Sequence, residues 1–129
     1  MGKVNFFKKT KYAKSELFLD KVSERTATTN GLGTGAAFSS DEIIEAVGVT
    51  GQTAYKILLP NPRSVASNKR FLIIGKDFPS KLAVNGAAGD ATINGIEAES
   101  ATGTIAVGGC YEVRKISDTG YIVTGMVIA

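Results

Sequence analysis

The strongest constraint on this chain is a recurrence of short β-branched runs, each cut off by glycine, asparagine or proline. Residues 55–59 (YKILL) stop at Pro60, and residues 70–74 (RFLII) stop at Gly75. Residues 81–84, 91–93 and 103–107 stop at Asn85-Gly86, Asn94-Gly95 and Gly108-Gly109. Residues 110–116 alternate and reach Ser117-Asp118-Thr119-Gly120, and residues 121–128 close the sequence. Runs of this size, rich in Val, Ile, Tyr and Phe and bounded by turn residues, read as strands. Their spacing of about ten residues is that of sandwiches and barrels. Connections this short predict antiparallel neighbours, because a parallel crossover needs a dozen residues or more.

Alternation within these runs assigns a core of Ile57, Leu59, Phe71, Ile73, Val84, Ile93, Ile105, Val107, Val113, Ile122 and Val127. Over residues 110–116, Tyr111, Val113 and Lys115 face one way; Cys110, Glu112, Arg114 and Ile116 face the other. Asn85-Gly86 and Asn94-Gly95 are type I′ hairpin signals. One short helix is expected, since Ser39-Ser40-Asp41-Glu42 fits a capping box. Ile43, Ile44 and Val47 then share a helical face and Gly48 ends it, with a strand as the competing reading of the same residues.

Charge divides the chain. Residues 1–25 hold seven bases and three acids, a net +4, whereas the remainder holds eight bases and nine acids, a net −1. The first stretch interleaves Lys3, Phe6, Phe7, Lys8, Lys9, Lys11, Tyr12 and Lys14. That pattern suits a solvated tail, nucleic acid, an anionic membrane or a protein groove. So few lysines supply little affinity for nucleic acid at physiological salt, and no amphipathic period favours a membrane surface. Docking on a neighbouring subunit would bury the aromatics as anchors and leave the lysines at the rim. Residues 26–37 (TATTNGLGTGAA) are small and uncharged, the composition of a flexible or extended connector. The expected division is residues 1–37 as basic arm and connector, and residues 38–129 as β domain.

The residue types argue against catalysis. There is no histidine, which removes the commonest general base and metal ligand. The single Cys110 excludes intrachain disulfides and cysteine zinc sites, and is expected as a small core residue. Glu97 and Glu99 read as loop charges, not as a glycosidase pair facing a cleft. Asp41, Glu42 and Glu45 lack the order of a calcium loop. Gly31-Leu32-Gly33-Thr34-Gly35 lacks the Gly-Lys-Ser/Thr ending of a phosphate loop. No cofactor or metal is expected. No run reaches the ~20 apolar residues of a membrane span, and no apolar region of a secretory signal follows the N-terminus.

From residue 55 to residue 125 the order of elements resembles a β-sandwich module of bacteriophage virion proteins: decoration, head-fibre and tail-fibre proteins. The matching elements are Leu58-Leu59-Pro60, then Asn68-Lys69-Arg70-Phe71, Val84-Asn85-Gly86, Ile93-Asn94-Gly95, residues 108–113 and the hairpin Ser117-Asp118 to Gly125. Tyr121 stands near the place of the module's usual tryptophan. No collagen-like or heptad shaft precedes it, which favours a short protein attached directly to a particle. The resemblance implies an antiparallel β-sandwich or jelly-roll-like body with an extended basic N-terminal arm. It also implies a non-enzymatic structural virion protein, made in the host cytoplasm and forming a homotrimer. The expected function is capsid decoration: a cement protein that binds major capsid protein or other virion subunits through the arm. The alternative is a tail- or head-fibre domain contacting the host surface or its glycans.

Overall fold

Residues 21–85, 91–97 and 102–129 are described by a computed structural model. Strands form where apolar residues alternate. In the larger of two sheets lie β1 (Val22–Thr26), β2 (Ile43–Val47), β4 (Arg70–Gly75), β6 (Thr92–Ile93), β7 (Ile96–Glu97), β9 (Cys110–Ser117) and β10 (Gly120–Thr124), in the order β1-β2-β4-β9-β10-β6-β7. In the smaller lie β3 (Lys56–Leu59), β5 (Ser80–Val84) and β8 (Gly103–Ile105), in the order β3-β5-β8. The only helical elements among the described residues are 3-10 turns at Gly33–Gly35 and Pro62–Ser64. The protein is mostly β, as expected.

The path is not the expected antiparallel sandwich or jelly roll. Successive strands from β2 to β5 alternate between the sheets, and the β1–β2 connection passes β3 through bridges of Thr28 with Lys56 and Ala36 with Leu58, so the chain winds like a short solenoid. β1 with β2, β2 with β4, and β3 with β5 therefore pair in parallel. The short gaps that predicted antiparallel pairing join strands of opposite sheets. The parallel in-sheet neighbours are separated by a whole coil, long enough for a parallel crossover. After β5 the pairing turns antiparallel: β8 runs along β5, β9 along β4, and β10 returns along β9. The exception is β6, parallel to β10.

The expected helix is strand β2. Ile44 and Ala46 point into the core while Ile43, Glu45 and Val47 alternate with them. Burial between β1 and β4 and two β-branched isoleucines outweigh the capping sequence. Asp41 is not a helix-start acid. It is buried and accepts from Arg25 Nε (3.0 Å), Arg25 Nη2 (2.8 Å) and the Phe38 amide (2.8 Å).

The stretch 26–37, expected as a connector, is folded into the body. Ala27 and Ala37 belong to the core. The amides of Ala27, Thr28 and Ala37 donate to the carbonyls of Val47, Lys56 and Leu58. Gly31, at φ +80°, lies so close to Leu58 that a side chain would collide with it.

One core joins the sheets. Of the expected members, Ile57, Leu59, Phe71, Ile73, Val84, Ile93, Ile105 and Val113 are buried. Val107, Ile122 and Val127 are exposed instead. Val107 sits in the β8–β9 turn and Val127 lies past the last strand. A register shift at Gly120/Tyr121 turns Tyr121 and Val123 inward and Ile122 outward. The Tyr121 ring meets Phe71 edge-on at 6.2 Å, and its hydroxyl donates to the Pro60 carbonyl at 2.7 Å. Lys115 is buried on the core side of β9, where its ammonium reaches the Val65 carbonyl (2.8 Å) and Asp118 (3.0 Å). Asn94 and Gly95 both have positive φ between β6 and β7, the hairpin turn that their sequence predicts.

Candidate partner-binding surface

Strand periodicity builds this surface. Ile44, Ala46, Phe71, Ile73 and Val113 point into the core, so their neighbours along each strand face outward. Register then places outward residues side by side. Val22 lies beside Ile43, Ile43 beside Leu72, and Leu72 beside Glu112. One step along, Glu24 lies beside Glu45, Glu45 beside Ile74, and Ile74 beside Cys110. On the other side, Arg70 lies beside Arg114 and Arg114 beside Ile122. The outer face of the large sheet thus carries an apolar row flanked by charges.

A groove of about 550 Å³ opens on this face. Ile43 and Leu72 contribute apolar wall; Glu42, Asn68, Lys69, Arg70 and Glu112 supply the polar remainder. Arg70 pairs with Glu112 at 3.1 Å, and both side chains are exposed. Such a pair is worth about 0–1 kcal/mol, so its charges remain available to a partner. Asn68, in the left-handed region at φ 62°, precedes Lys69, whose ammonium lies 5.0 Å from the centre of the Phe71 ring. Lys76 reaches Glu24 at 3.3 Å and Glu45 at 3.6 Å. The Glu24 hydrogen bond, followed by the charge of Glu45, raises the Lys76 ammonium above its ordinary range.

The expected attachment residues Lys3, Phe6, Phe7, Lys8, Lys9, Lys11, Tyr12 and Lys14 lie outside the described residues. Chain enters the described body at Lys21, directly before Val22 at the end of the apolar row. Cys110 is exposed on the outer face, not the core residue expected, because it sits one residue out of phase with Tyr111 and Val113. Glu97 is exposed and Glu99 lies outside the described residues. Among the described residues, no three His, Cys, Asp or Glu side chains converge to hold a metal. Nor is any helix long and apolar enough to cross a membrane.

The apolar row is hidden in the sequence because the capping box ahead of residues 42–47 (EIIEAV) favours a helix over the competing strand. Read with a strand period, the same six letters put Ile43 and Glu45 on one face and Ile44 and Ala46 on the other. Comparison of the chain with protein-family models, with curated proteins and with solved structures finds no match.

Proposed function

We propose that this protein is a structural subunit of a bacteriophage particle, a decoration or cement protein that binds the major capsid shell. The observation that carries the reading is continuity. The basic-aromatic segment joins the body at Val22, the first residue of the outward apolar row. The sheet face that begins where this segment ends in sequence carries Ile43 and Leu72 within a charged groove. A surface of that composition suits a protein partner, with apolar anchors inside and polar groups at the rim. Binding to the assembled shell stabilises it by mass action, because the subunit favours the assembled state over the dissociated one. The order of elements from residue 55 to residue 125 supports the virion setting, and a trimer accords with that setting.

The protein is a binder and not an enzyme. Purified protein is expected to show no turnover on glycans or nucleic acids. Turnover abolished by Glu97→Gln or Glu99→Gln would overturn this. The attachment reading is tested by binding to purified particles. Phe6→Ala with Phe7→Ala weakens binding more than Lys8→Ala with Lys9→Ala at physiological salt, because buried anchors outweigh screened rim charges. The opposite ranking would assign attachment to electrostatics alone.

A further inference from the structure

We propose that copies of this chain bind one another by seating Phe78 of one copy in a groove at the far end of the next. Phe78 is 46% exposed and lies outside the core cluster. Its backbone sits in the left-handed region at φ 55°, where a bulky residue is strained. Pro79 follows, and a residue before proline ordinarily favours an extended backbone. Close backbone packing holds this turn in place. The Gly48 amide donates to the Asp77 carbonyl at 2.6 Å, and a side chain at Gly48 would collide with the Phe78 carbonyl. The fold therefore holds a large aromatic side chain out in water, at a conformational cost that core burial does not offset. Strain of this kind concentrates where a side chain is presented to a ligand or partner.

The groove opens at the other end of β5. Its volume is about 280 Å³, its walls include Leu32, Ala36, Ala37, Leu58 and Pro60, and none of its described lining residues is charged. Leu32 is 54% exposed. An apolar cavity of about 150 Å³ already accepts benzene, so the groove has room for one phenyl ring. Phe78 lies just before the first residue of β5, whereas Asn85, at the groove, follows its last. The strand between them spans about 17 Å, so Phe78 cannot reach the groove of its own chain. A second copy is thus the occupant. Each chain carries the apolar knob at one end and the apolar hole at the other, and such a pair on one surface joins identical subunits. This inference is independent of the attachment reading: the groove is built on β3 in the small sheet, and its test uses no particles.

Sedimentation velocity of the full chain over a range of concentrations tests the contact. The parent should form species larger than the monomer as concentration rises. Phe78→Gly removes the ring and suits the positive φ, so it should fold at least as stably as the parent. It should weaken association by about tenfold or more, the loss expected of an aromatic anchor. Leu32→Glu should weaken association similarly. A parent that stays monomeric at every concentration would overturn the proposal, and so would either variant associating like the parent. Fluorescence then identifies the contact. The chain has no tryptophan, so Phe78→Trp places a single reporter on the knob. Its emission should be solvent-like in dilute solution and shift to the blue as concentration rises, and adding Leu32→Glu should abolish the shift. Emission that ignores concentration, or a shift that survives Leu32→Glu, would contradict the seating.

Discussion

Phe71 and Tyr121 meet in the middle of the core, and each supports a prediction. Phe71 is 1% exposed. Phe71→Ala should therefore cost about 3–5 kcal/mol, through lost transfer energy and the cavity left behind. Denaturant unfolding checks this, and a cost well under 1 kcal/mol would contradict the packing. Tyr121 is governed by burial, which raises its phenol far above the ordinary value of 10.0. Above about pH 10 the unfolded chain can ionise this tyrosine while the folded protein holds it neutral. Its stabilising contribution is complete below that pH and is lost as pH rises toward the folded value. Parent stability should fall relative to Tyr121→Phe above about pH 10. At neutral pH, Tyr121→Phe should cost about 0.5–1.5 kcal/mol for the lost bond to Pro60. Most individual core positions were legible because strands alternate, and Val113 is an example. Ile122 was not, because a one-residue shift at Gly120 leaves no mark on the apolar pattern.

At the scale of elements, the turn chemistry was readable and the partnering was not. Asn94-Gly95 makes its hairpin because both residues accept positive φ. Residues 39–47 support both a helix and strand β2, because a capping sequence and a strand period coexist there. Only burial between two neighbours decides between them, and those neighbours lie a coil away in sequence. Parallel pairing was hidden for the same reason, since the strands from β2 to β5 alternate between the sheets and each parallel partner lies a coil away. The winding also demands close backbone passages. A side chain at Gly75 would collide with the Ala106 carbonyl, and one at Gly48 with the Phe78 carbonyl. Gly75→Ala should push the β8–β9 turn off the end of β4 and cost about 1–3 kcal/mol. Faster exchange of the Gly108 amide, which donates to the Gly75 carbonyl, and of the amide at position 75, which donates to the Gly109 carbonyl, would accompany the loss.

For the whole molecule, the basic stretch of the sequence runs into the first strand of the large sheet. The stretch ending at Arg25 carries a net +4 and feeds into the edge of a sheet whose outer face bears the groove. The basic-aromatic segment was legible from composition alone. Its neighbour, the row Val22, Ile43 and Leu72, required the register of three strands that are distant in sequence. The central claim is that attachment begins in residues 2–14 and continues over this face. The most direct measurement is co-sedimentation of the full chain, and of a chain lacking residues 2–14, with purified particles. Both chains should show the same cooperative unfolding, because no described element includes the deleted residues. The full chain should bind, and the truncated chain should lose binding. If the truncated, folded body binds particles with unchanged affinity, residues 2–14 are not the attachment segment, and the account is contradicted.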